Sequence, residues 1–208
     1  VGIWRLQNIQ TVLKIMIANL FSLGERNYIN NAVVIADAVN TITTIYGNVE
    51  NFKIKFRKPF NSQAELKFST DPLDGYIVGS FDTLLTTFYF AYTPIDVLLH
   101  LNNNTNPYFN LFYKITDISR GIIKQAYEQS IGPMIESDKV IFVIAEIIDT
   151  SIINNAIHND VKINLTPGVY LGDNRLKLSL YINDVFVGDR HSTIKEFKVW
   201  HIGMKLAI

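Results

Sequence analysis

There is no cysteine anywhere in the 208 residues. That excludes disulfides, thiol nucleophiles and every metal or cluster site built on thiolate ligands. No Gly-rich phosphate loop and no nucleophile elbow occurs either, so neither a nucleotide cradle nor an exposed serine nucleophile is written in a recognisable form. Charge is scarce: 19 Lys+Arg cancel 19 Asp+Glu, and charged residues make up 18% of the chain, below the usual quarter. A neutral chain exerts no bulk attraction on polyanions. No uninterrupted apolar run reaches the roughly 18 residues of a membrane span. The opening lacks a basic stretch, a short apolar core and a small-residue cleavage site, so no signal peptide is expected.

What is present is apolar and amide-rich. Hydrophobic residues reach 48% and the mean hydropathy is +0.15. Few charges with zero net charge leave a surface poorly protected against association, which points to surface buried against partners. Ile and Asn are both over-represented, as AT-rich codon usage would give.

From Gly2 to Gly24 the apolar residues Leu6, Ile9, Val12, Leu13, Met16, Ile17 and Leu20 recur with helical spacing, and Gly24 sits at a C-cap. The pattern predicts a long amphipathic helix, packed on the chain's own core or partly on a neighbouring subunit. Trp4 and Ile15 lie off its main stripe and suggest a second apolar contact. Its polar face is mostly amides and Thr, unlike the Lys/Arg-rich face of a membrane-surface helix. A second helix is expected over Ala32–Tyr46, capped by Asn31 and stopped by Gly47, which makes a helical hairpin with the first.

The period then changes. Phe52, Ile54 and Phe56 alternate with Lys53, Lys55 and Arg57, and Ala64, Leu66 and Phe68 alternate with Glu65, Lys67 and Ser69, as in half-buried strands. Strands are expected again at Tyr76–Phe81, Thr86–Tyr92 and Tyr108–Thr116. Thr93-Pro94-Ile95-Asp96 has the grammar of a helix start, so a short helix to Leu101 is favoured over a strand. Asp117–Ser130 reads as helix. Lys139–Ile148 fits either period, with strand favoured to Glu146 and then a short helix ending near His158. Strands follow at Val161–Leu165, Leu176–Ile182 and Val185–Val187, with Asn183-Asp184 as a tight turn, and Thr193–Ile208 closes the chain. The expected class is α+β: an N-terminal helical hairpin packed on mainly antiparallel sheet, with a strand-rich C-terminal part. Residues 1–160 would be the α+β domain and 161–208 a β-rich tail of the same domain.

Chemistry-bearing residues are sparse. His158-Asn159-Asp160 and Asp189-Arg190-His191 each place an acid two residues from a histidine, the spacing of a ligand pair or an oriented base. Surface-loop polarity explains the same spacing. Convergence of any two of His158, Asp160, Asp189 and His191 would favour an enzyme. His201, in an apolar strand, reads as a hydrogen-bonded interior residue. Lys53, Lys55, Arg57 and Lys58 form a basic strand face able to track phosphates, or simply a solvated face that discourages edge pairing. The aromatic set Phe88, Tyr89, Phe90, Tyr92, Tyr108, Phe109, Phe112 and Tyr113 could supply a stacking platform for a carbohydrate- or receptor-binding module. Two Asn-x-Thr sequons, at Asn103 and Asn164, are what an Asn-rich chain contains by chance.

In general character, through the amphipathic opening helix of Gly2–Phe21, the strand-rich remainder and the terminal strand running to Ile208, the chain resembles bacteriophage virion structural proteins of the neck or tail ring type. The resemblance implies a non-enzymatic homo-oligomeric ring in the virion, assembled in the host cytoplasm. Its partners would be other virion proteins and, transiently, DNA, with no cofactor and no membrane insertion. Leu13, Met16, Ile17, Leu20 and Phe21 become candidate interface residues. Lys53, Lys55, Arg57 and Lys58 become candidate DNA-channel or inter-ring contacts.

Overall fold

The structure is a computed structural model and describes residues 14–23, 29–101, 106–130, 138–170 and 175–196. It is α+β with a large antiparallel sheet, as the periodicities imply. Lys14–Ile17 (β1), Glu50–Phe56 (β3), Ser62–Ser69 (β4), Ile77–Asp82 (β5), Thr87–Leu98 (β6), Asp138–Asp149 (β8), Ile163–Tyr170 (β9), Arg175–Ile182 (β10) and Val185–Glu196 (β11) form one nine-stranded sheet. Its order is β1-β4-β6-β5-β3-β8-β11-β10-β9. Phe21–Ser22 (β2) and His100–Leu101 (β7) make a separate short parallel pair. The helices are Asn31–Tyr46 (α1), Phe109–Ser130 (α2) and Thr150–Ala156 (α3).

Two stretches of similar plan meet in the sheet. A helix, α1, precedes β3 to β6, and a helix, α2, precedes β8 to β11. The seam is the antiparallel β3–β8 pair, in which Phe52 lies opposite Ile147 and Lys53 opposite Glu146. At its end the Thr150 hydroxyl accepts from the Val49 N–H at 2.9 Å, and the Thr150 N–H donates to the Val49 carbonyl at 3.0 Å.

α1 is rich in β-branched residues, which are indifferent helix formers. Burial holds it instead: Ala32 to Val39 and Ile42 are all inaccessible. Asn30 caps it, its side-chain oxygen accepting from the Ala32 N–H at 2.9 Å, one residue before the expected cap. Gly47 ends it at φ 78°, a conformation glycine adopts without strain. Phe52, Ile54, Leu66, Phe68, Phe81, Phe90 and Tyr92 from the sheet are fully buried in the same core as α1, where Phe68 and Phe81 meet the Tyr46 ring and Tyr92 meets Asp37. Burying each such side chain contributes on the order of 1.5–3 kcal/mol. The rings are in mutual contact, with Phe52 stacked on Phe90 at 5.7 Å and Tyr46 against Phe88 at 4.8 Å.

Three expectations are corrected. The opening helix is not what Lys14–Ser22 forms. Lys14–Ile17 is an edge strand against β4, and Ile15 and Ile17 point outward opposite Lys67 and Glu65. Residues 1–13 and 24–28 lie outside the described residues, Leu13 and Gly24 among them. Thr93–Leu98 continues β6 instead of starting a helix. Pro94 is accommodated at a register irregularity opposite Ala64, the kind of place where a strand tolerates a missing N–H. Tyr108–Thr116 is not a strand, because Phe109 begins α2, and Phe112, Ile115, Thr116, Ser119 and Ile123 make its buried face. The favoured assignment of Lys139–Glu146 to a strand and the short helix before His158 are found as β8 and α3. Of the closing strand, Thr193–Glu196 belongs to β11, and the remainder, with His201, lies outside the described residues.

Candidate active site

Asn183 and Asp184 both adopt positive φ, 51° and 64°, so β10 turns into β11 through the tight turn the sequence marks. Alternation along β11 then divides its residues between two faces. Arg190 and Ser192 are buried inward, while Asp189 and His191 take the outer face. Across the ladder His191 lies opposite Lys177, and Asp189 opposite Ser179. On the other side stands β8. Gly188 allows its close approach, since a Cβ there would lie 2.0 Å from the Glu146 carbonyl oxygen. Lys53 of β3 completes the row opposite Glu146.

The result is a connected polar array on four strands. Lys53 Nζ pairs with Glu146 Oε1 at 2.6 Å, and Lys177 Nζ with Asp189 Oδ2 at 2.6 Å. Ser179 donates its hydroxyl to Asp189 Oδ1 at 2.8 Å. His191 Nε2 stands 3.9 Å from Glu146 Oε2, too far for a hydrogen bond, so that carboxylate does not tie up the imidazole nitrogen. Partial burial pulls the His191 pKa below its ordinary 6.5. Glu146 and Asp189 oppose that shift, and Lys177 and Lys53 reinforce it. The imidazole is therefore neutral at pH 7 and able to accept a proton. Hydrogen bonding to Asp189, then its charge, raises the Lys177 pKa.

Of the histidine–acid spacings in the sequence, the structure brings one into a cluster. Asp189 and His191 share a face; His191 feels the charges of Glu146, Asp189, Lys177 and Lys53, and Asp189 pairs with Lys177. They lie in a strand, not in a polar surface loop. His158 and Asp160 are exposed beyond α3. Among the described residues no group of three or more His, Asp or Glu side chains could hold a metal ion. The sequence reading missed Glu146, Lys177 and Ser179, which come from strands distant in sequence. Strand alternation was the available signal: Glu146 interrupts an aliphatic run, and Lys177 and Ser179 alternate with Leu176, Leu178 and Leu180.

The other candidates fall elsewhere. Leu20 and Phe21 are buried in the chain's own core, Met16 packs half-buried against it, and Ile17 is 59% exposed. Lys55 is exposed beside Lys53 on β3. Arg57 pairs with Asp74, and Lys58 sits over the Tyr76 ring at 5.3 Å. Most of the aromatic set is internal: Phe90, Tyr92, Tyr108, Phe109 and Phe112 are buried, so it makes no open stacking platform.

One buried acid was also missed. Asp37, in the middle of α1, accepts from Tyr92 Oη at 2.8 Å and from the Asn19 N–H at 2.9 Å. Burial raises its pKa to about 6, although both hydrogen bonds act to lower it. Its position in α1, whose sequence carries no other charge, was the readable sign that the first half of this helix, Ala32 to Val39, is covered on all sides.

No protein-family model matches the chain, and no curated protein sequence matches it. Among solved structures, one described as an oleoyl thioesterase from Lactobacillus plantarum aligns with 90% of this chain and 98% of its own, at 7% identity and a TM-score of 0.44. An acyl-ACP thioesterase from Bacteroides thetaiotaomicron aligns over 89% and 98%, at 7% identity and a TM-score of 0.41. Both are described as thioesterases, and neither as part of a phage particle. This corrects the resemblance to neck and tail ring proteins, and with it the expectations of a non-enzymatic virion component and of a carbohydrate- or receptor-binding module. Likenesses of this size assign the chain no activity of its own; its chemistry has to come from its own side chains.

Proposed function

We propose that the chain is a hydrolase of activated acyl esters, thioesters foremost, and that water is activated on the outer face of β8 and β11. The observation that carries the reading is the neutral, half-buried imidazole of His191 beside the carboxylates of Glu146 and Asp189. Such an imidazole can take a proton from water as it attacks an acyl carbon, and the two carboxylates stabilise the imidazolium that forms. The ammonium groups of Lys53 and Lys177 stand where negative charge on an acyl oxygen could be met. The chain has no thiol, and Ser179 spends its hydroxyl proton on Asp189, so water is the nucleophile that suits the array. A thiol leaves as thiolate near its pKa of about 8.5 without protonation, whereas an amine or alkoxide leaving group must first receive a proton. The His191 imidazolium holds the one proton taken from water, and a thiolate departs without needing it, which is why the thioester is the substrate class favoured.

The test is thiol or phenol release from acyl thioesters and aryl esters of graded chain length. His191→Gln is expected to lower kcat/KM by about 10²–10⁴-fold. Glu146→Gln removes a charge that raises the His191 pKa, so the acid limb of the pH–rate profile should move to lower pH. A wild-type chain inert toward the whole panel, or a His191→Gln variant as active as wild type, would refute the proposal.

A further inference from the structure

Arg190 points the opposite way from its neighbours Asp189 and His191, into the layer between α2 and the sheet. It is 3% exposed. Its Nη1 donates to Thr116 Oγ1 at 3.2 Å and to Ser119 Oγ at 3.3 Å, both on α2. The Phe142 ring lies under the guanidinium, its centroid 4.4 Å from Cζ. Nε and Nη2 are buried and have no hydrogen-bond partner among the described residues. No carboxylate pairs with Arg190 among the described residues. The charge of a second cation, Arg120, joins the dominant effect of burial in lowering its pKa to about 9. At pH 7 it therefore remains charged.

An uncompensated buried cation costs several kcal/mol, and each orphaned donor adds to that. The two orphaned nitrogens are not scattered. Nε–H and the adjacent Nη2–H form one edge of the guanidinium, the parallel fork that receives both oxygens of a carboxylate or phosphate. The opposite corner, Nη1, is fixed by two hydroxyls, and the plane is fixed by Phe142, so the fork is held in one orientation. We propose that this fork is a receptor for the carboxylate of an organic acid bound between α2 and the β8–β11–β10 part of the sheet. A carboxylate is favoured over phosphate by the surroundings. Ala145 and Leu178 lie directly opposite Arg190 in the ladder, Phe142 covers it, and a monoanion with an apolar tail sheds less hydration there than a phosphate dianion. A carboxylic acid is also what acyl-ester hydrolysis releases, but the inference rests on Arg190 alone and its test involves no turnover.

The experiment is thermal unfolding of the full chain at constant ionic strength with octanoate, acetate or inorganic phosphate. Octanoate should raise the wild-type Tm saturably, and acetate should do so more weakly. Arg190→Met should melt at or above the ligand-free wild type, because an unpaired charge has gone, and should lose the octanoate response. Arg190→Lys keeps the charge but not the fork and should bind at least about tenfold more weakly. If Arg190→Met does not fold, the Lys variant and contacts from labelled octanoate to the Phe142 ring protons in the wild type, read by NMR, decide the matter. Absence of stabilisation by any of the three anions, an equal octanoate response in Arg190→Met, or a response confined to phosphate would each overturn the assignment.

Discussion

Asp37 shows how one atom group can set the pH response of a whole fold. The unfolded chain releases its proton near 3.8, while the native protein holds it until about 6. Between those values the native state binds the extra proton, so stability falls as pH rises through the window and the loss is complete above it. At about 1.4 kcal/mol per pH unit, the ionised form is carried at pH 7 at a cost of about 3 kcal/mol. Asp37→Asn keeps the shape, still accepts from the Asn19 N–H, and does not titrate. Urea unfolding of the two proteins from pH 4 to 7 should show wild type losing up to about 3 kcal/mol relative to the variant. Parallel stability curves would mean that Asp37 does not carry the charge. His191, whose folded pKa is depressed, acts in the other direction. Below 6.5 the unfolded chain takes up the proton more readily, so its contribution to stability is lost as pH falls.

Among the elements, β5 carries a close backbone constraint on the side facing β3. Gly79 lies between the Phe90 ring and the backbone of β3, and a Cβ would meet Phe90 Cζ at 2.2 Å and the Lys53 carbonyl oxygen at 2.3 Å. The second contact is with backbone and cannot swing aside. Gly79→Ala is therefore expected to cost more than about 3 kcal/mol in urea denaturation, in the range of severe overpacking. A loss below about 1 kcal/mol would mean that β3 and β5 separate easily. Elements with one unambiguous period were legible in the sequence: α1 with its Gly47 stop, the alternation of β3 and β4, and the Asn183-Asp184 turn. Those that went astray satisfied two periods at once. Met16, Ile17 and Leu20 fit a helical wheel, yet Lys14–Ile17 finds its hydrogen bonds on β4. Phe109, Leu111, Tyr113 and Ile115 alternate, yet Phe112, Ile115, Thr116 and Ser119 also repeat as a helix, and the fit of that face under α1 and the sheet decided. The site was only half legible. Asp189 and His191 announce themselves by spacing, but Glu146, Lys177 and Lys53 reach them through ladder register between strands up to about 140 positions apart, which local pattern does not encode.

At the scale of the molecule, the sheet is continuous only because β3 meets β8. Among the described residues, the strands before residue 102 (β1 and β3 to β6) make one wing of the sheet and those after 105 (β8 to β11) the other, and the Thr150–Val49 hydrogen bonds clasp the seam. The proposed site straddles it, with Lys53 from the first wing and Glu146, Asp189, His191 and Lys177 from the second. The chain can thus be treated as two pieces that happen to be tethered. Expressed as separate polypeptides cut between residues 102 and 105, the halves should find each other through the exposed edges of β3 and β8 and the matching apolar surfaces of α1 and α2. Neither half alone would have the whole array, so ester hydrolysis should return only on mixing. That makes the junction a natural place to split the protein into a complementation pair, its signal reporting the meeting of whatever is fused to each half.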